Sequence, residues 1–376
     1  MKTTTVNAVS IAKELAGQFA TRADEADRLG RLPVEDIQAL RESGYLSLNI
    51  PQEYGGADLS MRDCLAAQLE LAQGSSSTAL VAGMQMQVFG DARQVKIWSE
   101  ETYERLCRAA VAGGLFNSAA TEPKLGSPSR GTFFVTTAEP SDDGFMINGH
   151  KTWITGGKAL THLLVGLTLN GKPAVILVEG DQPGLEWVET WGDGLSLRAS
   201  DSHDLYFRNV WVSRENLIER GNPRGTRLNI WYPLVISATY LGIAIAARNA
   251  VIQFALERVP TALGKPIATL PKIQSQIGQI DLALQAARLL MLDVARRETG
   301  LPFSRVAAVK HFTIKVANDV AQQALHIAGG TSITRQLPLE RYFRDVQAGF
   351  MHPPAGDTAL EIIGRAAIEQ FKPGPL

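Results

Sequence analysis

The chain has 376 residues, 45% of them hydrophobic and 20% charged, with a formal net charge of -1. So near-neutral a balance leaves no electrostatic footprint for nucleic acid or an anionic membrane, and it points to small-molecule or protein partners. The length suits two or three packed units around a large core, enough for an enzyme.

In chain order, residues 1–112 read as a helical unit. Ile11, Leu15 and Phe19, then Val34, Ile37 and Leu40, then Leu65, Leu69 and Leu71 recur at helical spacing. "LNIPQEYGGADLS" interrupts them as a loop, because Pro51 and the Gly55–Gly56 pair break regular structure. The N-terminal "MKTTTVNAVSIAKELAGQFA" shows no apolar core or cleavage site, and no window is expected to reach the roughly 18 apolar residues of a membrane span. Cys64 and Cys107, the two cysteines, lack metal-ligand spacing, so neither a disulfide framework nor a metal site is expected; a soluble chain in a reducing cytoplasm fits.

Residues 113–222 change texture. "GTFFVTTAE", "GFMINGHKTWITG", "HLLVGLTL", "AVILVE" and "HDLYFRNVWVS" are short alternating or β-branched runs, separated by "SDDG", "LNGKP" and "GDQPG". This pattern predicts a β-sandwich or barrel. From residue 223 to 376 helical periodicity returns, with long helices predicted over Pro271–Arg297 and Arg305–Ala328. No G-x-G-x-x-G follows a strand, which disfavours a dinucleotide-binding α/β unit.

Two stretches carry possible chemistry. In "SAATEPKLGSPSRG", small residues around Ser118 and Ala120 admit a flat ligand, Thr121 offers a hydroxyl, and Gly126–Ser127 can present backbone N–H groups. In "MINGHKTWITGG", Trp153, read as buried, precedes Ile154 and Thr155 at a glycine pair. Taken singly, each reads equally well as a turn-rich loop or a core strand.

Together with "IPQEYGGADLS", "ALHIAGGTSI" and "PLERYFRDV", these stretches resemble, in order, the motifs of the acyl-CoA dehydrogenase superfamily over essentially the whole chain. The resemblance implies an N-terminal helical domain, a middle β-barrel-like domain and a C-terminal four-helix bundle, an α+β, mainly α fold. It implies a flavin whose ring meets Ser118, Ala120, Thr121, Trp153 and Thr155. It also implies approach of another subunit's cofactor at Gly329–Gly330, within a homotetramer built as a dimer of dimers. FAD is expected, with FMN left open because His326 stands where the family usually has glutamine. Pro128 replaces the customary aspartate after Gly-Ser, which weakens transfer of acyl-CoA contacts; Arg130, Arg224 and Arg227 are the candidates for a CoA phosphate.

The family's catalytic glutamate falls, eight residues after Asp345, on Pro353, and its alternative place falls on Tyr232. Both customary bases are absent. His352 instead resembles the flavin-dependent monooxygenase branch, and an imidazole that titrates near neutrality suits acid/base or hydrogen-bonding work. Asp357 is a second candidate base, although "TALE" from Thr358 to Glu361 matches a capping box. Arg344–Asp345 reads as a structural ion pair. Thus 341–361 is expected to be a helix break at an active site. Two functions follow: a monooxygenase of small aromatic or heteroatom substrates, with a flavin reductase as partner, or a divergent acyl-thioester dehydrogenase, with an electron-transfer flavoprotein. A non-catalytic protein that kept the fold is the third reading.

Overall fold

The computed structural model describes residues 7–124, 134–221, 229–297 and 300–372. Six helices come first: α1 (Ala8–Ala20), α2 (Ala23–Leu29), α3 (Val34–Glu42), α4 (Met61–Leu71), α5 (Ser76–Val95) and α6 (Glu100–Val111). Their starts are written in short polar side chains. Asn7, Ser60, Ser75 and Ser99 each accept a hydrogen bond from the backbone N–H three residues on, pairing a donor that a helix start leaves free. Almost all of α5 is buried, so it forms the spine of this region.

The middle of the chain forms one eight-stranded mixed sheet: β1 (Phe116–Ala119), β2 (Thr137–Ser141), β3 (Gly144–Ile154), β4 (His162–Leu169), β5 (Lys172–Glu179), β6 (Leu185–Val188), β7 (His203–Ser213) and β8 (Leu217–Arg220). The order is β6-β7-β3-β2-β4-β5-β8, with β1 parallel to β4. Sequence patterning locates β3, β4, β5 and β7, whereas the predicted run at 131–139 overlaps β2 only at 137–139 and begins outside the described residues. The four-residue strands β1, β6 and β8 are too short to show a period, and only their partners make them strands.

Five helices follow: α7 (Trp231–Glu257), α8 (Pro271–Ala295), α9 (Phe303–Ala328), α10 (Leu339–Gln347) and α11 (Gly356–Glu369). The three long helices pack on one another, and α10 and α11 pack on α9. The predicted spans for α8 and α9 agree within two residues. The expectation that no stretch could match a membrane span needs correction. α7 is 27 residues long and contains an 18-residue window with a mean hydropathy of 1.6, enough by length and composition, but 78% of that window is buried inside the protein. It is apolar all round because neighbours surround it: α4, α5, α8, α9 and α10.

The "RYFRD" stretch on α10 holds the three regions of the chain together. Arg344 and Asp345 do not pair with each other, as had been expected. The Arg344 guanidinium donates to Asp27 on α2, to Glu340 and to the Leu195 carbonyl. Asp345 is fully buried, accepts from the Ser76 hydroxyl and from the Leu197 N–H, and its own carbonyl accepts from Ser196. One helical turn therefore joins the start of α5 to the loop before β7. Burial raises the Asp345 carboxyl pKa, against the opposing pull of Arg341, Ser76 and Leu197.

Candidate active site

The two motif stretches do come together. Thr152 N–H donates to the Thr121 carbonyl at 3.0 Å, and the Asn117 amide donates to the Thr155 carbonyl at 2.8 Å. These bonds stitch the end of β1 to the end of β3. Beneath them lies a buried ion pair that sequence reasoning missed. The Lys151 ammonium sits 2.6 Å from Glu122, with side chains 0% and 2% exposed, and Glu122 also accepts from Val135 N–H and Thr136 N–H. Burial pulls Lys151 down to about 8, offset by Glu122. Burial would raise Glu122, but Lys151 and Thr136 outweigh it and its pKa falls.

Above this floor, Trp153 is 62% exposed, not buried as its strand context suggested. Its φ of 58° puts a bulky residue in left-handed geometry, a strained arrangement kept where surroundings enforce it. The result is an apolar ring held out beside exposed Ser118 and half-buried Ala120 and Thr121, while Ile154 and Thr155 are buried and the Thr155 hydroxyl lies 2.9 Å from that of Ser202. An outward aromatic plane next to small residues and a hydroxyl fits a flat, polar-edged ring such as a flavin. Gly126, Ser127, Pro128 and Arg130, like Arg224 and Arg227, lie outside the described residues. At the far end of α9, His326, Gly329 and Gly330 are exposed, and nothing lies near where a side chain on either glycine would project. That open end leaves room for another molecule.

The second half of the site is built on α7 and the turn after α10. His352, half-buried, sits between two tyrosines of α7: its Nδ1 is 2.8 Å from the Tyr232 hydroxyl and its Nε2 is 2.9 Å from the Tyr240 hydroxyl. Tyr232 and His352 were both expected at this site; Tyr240 was not. Two glycines let these elements close up. A side chain on Gly90 would run into the Trp231 ring, and one on Gly349 would press on Ile314 and the Tyr240 ring. Behind the histidine, buried Lys310 of α9 donates to the carbonyls of Gly349, His352 and Pro354 at 2.9, 2.7 and 3.1 Å. All three ammonium hydrogens are thereby used. A lysine within the apolar stripe of α9, four residues after Val306 and four before Ile314, was the sequence signal for it.

Asp357 is placed differently. It is exposed in the first turn of α11, where it accepts from its neighbour Thr358 N–H. The predicted capping box does not form, because α11 begins at Gly356 and Thr358 lies inside it. The expected break in the helix is present and contains His352, but no carboxylate is among the hydrogen-bond partners of that ring. Among the described residues, no three His, Cys, Asp or Glu side chains converge as a metal site, and Cys64 and Cys107 are buried and not disulfide-bonded.

Burial, assisted by the Lys310 charge, lowers His352 from the usual 6.5 to about 3. Between those values an unfolded chain binds a proton at this position that the native chain does not, so falling pH favours unfolding. The protein is expected to lose more thermal stability between about pH 7 and about pH 4 than its His352→Gln variant does. Superimposable midpoint-against-pH curves for the two would show that His352 is not held neutral.

Fold and site together define a flavin-handling oxidoreductase, with a ring platform at the edge of a sheet and a neutral hydrogen-bonding cluster at a helix break. Family models for the N-terminal, middle and C-terminal domains of acyl-CoA dehydrogenase match residues 9–113, 117–210 and 234–355. The chain belongs to the acyl-CoA dehydrogenase family and is a flavin-dependent oxidoreductase, with FAD, or alternatively FMN, as its cofactor. It is 37% identical to a Bacillus subtilis protein named "Putative acyl-CoA dehydrogenase YdbM", over 94% of this chain and 95% of that one. It is 28% identical to the short-chain specific mitochondrial acyl-CoA dehydrogenase of Bos taurus, over 86% of this chain and 80% of the other. Among solved structures, FMN-bound TdsC from Paenibacillus sp. A11-2, a dibenzothiophene monooxygenase, shares the fold, with a TM-score of 0.87 at 23% identity over 99% of both chains.

Proposed function

We propose that the protein is a reduced-flavin-dependent monooxygenase of small aromatic or heteroatom substrates, with His352 as the acid/base and hydrogen-bonding centre. A flavin reductase would supply the reduced cofactor, and the chain would work as a cytoplasmic homotetramer of three-domain subunits divided near residues 112 and 222. One observation carries the reading: where a dehydrogenase of this family needs a carboxylate base, the chain has Pro353, preceded by a histidine enclosed between two tyrosyl hydroxyls. Removing a proton from carbon α to a thioester calls for a base whose pKa is tuned toward the working pH. His352, held neutral down to about pH 3, is a weak base, and burial raises the Tyr232 phenol well above its usual range. A neutral cluster of this kind is suited to giving hydrogen bonds to an oxygen atom. When bound, the flavin supplies the redox chemistry; the chain's residues orient it, exclude water and place a hydrogen.

The second reading is a divergent acyl-thioester dehydrogenase that passes electrons to an electron-transfer flavoprotein, with Asp357 as the remaining carboxylate candidate. The names of the relatives at 37% and 28% identity favour it. Two experiments on the purified flavoprotein separate the readings. After chemical reduction and mixing with oxygenated buffer, reoxidation is expected in two resolved phases with a distinct absorbing species between them. Anaerobic mixing of the oxidised protein with acyl-CoA thioesters of short to long chain is expected to leave the flavin colour unchanged. Bleaching by any of these thioesters, with single-phase reoxidation, would replace the first reading by the second.

A further inference from the structure

Tyr240, which the sequence did not mark, takes a place in the reaction centre if His352 belongs to it, as proposed above. Both ring nitrogens of His352 lie against tyrosyl oxygens, so the ring has no free nitrogen with which to touch a substrate. Its contribution must pass through one of the two tyrosines. They differ in exposure: Tyr240 has no accessible surface, whereas Tyr232, near the start of α7, is half-buried.

Hydrogen accounting gives the chain a direction. A neutral imidazole carries one N–H and one acceptor nitrogen, so one tyrosine donates to it and the other accepts from it. Among the described residues, the Tyr240 hydroxyl has one hydrogen-bond partner, Nε2 of His352. If Nε2 carried the ring hydrogen, the Tyr240 O–H would be left buried without an acceptor. A buried donor without a partner is costly enough to bias the tautomer by about tenfold or more. Lys310 does not alter this count, because its three hydrogens are spent on the carbonyls of Gly349, His352 and Pro354.

We propose that Tyr240 donates to Nε2, that the ring hydrogen is therefore on Nδ1 and is donated to the Tyr232 oxygen, and that the Tyr232 hydroxyl hydrogen is the one presented to the reacting oxygen. Tyr232 is then the catalytic residue, while His352 and Tyr240 are positioning residues that fix which way its hydrogen points. No proton needs to leave the three-residue chain. The ring stays neutral and the outermost O–H is strengthened as a donor by the two bonds behind it. Lys310 anchors the backbone on which the ring sits.

The test uses protein labelled with 15N-histidine. Long-range proton–nitrogen correlation spectra report the tautomer of each of the six histidines, and the His352 signals are identified by their loss in His352→Gln. The expected result is the Nδ1–H form for His352, retained in Tyr232→Phe because Tyr240 still donates to Nε2. An Nε2–H or doubly protonated His352 in the native protein would overturn the inference. In the second arm, reduced Tyr232→Phe protein is mixed with oxygenated buffer, and its slow reoxidation phase is expected to run about tenfold faster than that of the parent, the rate equivalent of one hydrogen bond. An unchanged slow phase would overturn the assignment of Tyr232. The tautomer is read without substrate or oxygen, so the first arm stands or falls independently of the monooxygenase reading.

Discussion

Replacing His352 with alanine is expected to lower turnover by about 10²–10⁴-fold, the range typical of losing acid–base assistance, because the ring that aims the Tyr232 hydroxyl is removed. Flavin should remain bound. The Thr121, Trp153 and Thr155 platform lies at the meeting of β1 and β3, whereas His352 is held by α7 and α9. Absorbance of the purified variant reports the flavin, and product formation from small aromatic and sulfur-containing compounds reports the chemistry. The substitution also leaves the Tyr240 hydroxyl without an acceptor, so some loss of stability accompanies it. His352→Gln, which keeps volume and an amide, separates the two effects. Full product formation in both variants would remove His352 from the reaction and return attention to Asp357.

The second large effect is structural and concerns the buried ion pair beside the proposed flavin platform. Lys151→Met should destabilise the protein by about 3–5 kcal/mol, the usual consequence of removing one partner from a buried ion pair. Glu122 would keep its bonds from Val135 N–H and Thr136 N–H but lose the Lys151 charge that compensates it at 2.6 Å. Thr121 adjoins Glu122 and Trp153 lies two residues after Lys151, so flavin affinity should fall along with the unfolding midpoint. Pairing the change with Glu122→Gln should recover much of the loss, because two neutral side chains no longer leave a naked charge in the interior. Urea midpoints for the single and double variants decide the matter. A single variant as stable as the parent would mean that water or a counter-ion already reaches Glu122.

Much of the architecture could be read from sequence, and the reason differs by element. α8 and α9 show a helical period over some 25 residues, and β4 and β7 match their alternating or β-branched runs residue for residue. In each of these the signal is repeated within the element itself. The meeting of the two motif stretches and the presence of both Tyr232 and His352 at one cluster fit the places that the family resemblance implied for them. The capping box at Thr358 failed for the opposite reason. Four residues matched a pattern, but α11 starts earlier, at Gly356, once the turn is docked on α9 by Lys310.

What the sequence determined by itself, then, was periodicity, turn chemistry and motif order, because these depend on residues within a turn or two of one another. What only the tertiary structure decided was the choice of partner for each buried polar group. Trp153 turned outward, Asp345 paired with Ser76 and Leu197 instead of Arg344, Lys151 found Glu122, and Tyr240 reached His352 across 112 positions of chain. A buried donor or charge must be matched by whatever the packed core brings within about 3 Å, and nothing in local spacing encodes that distance.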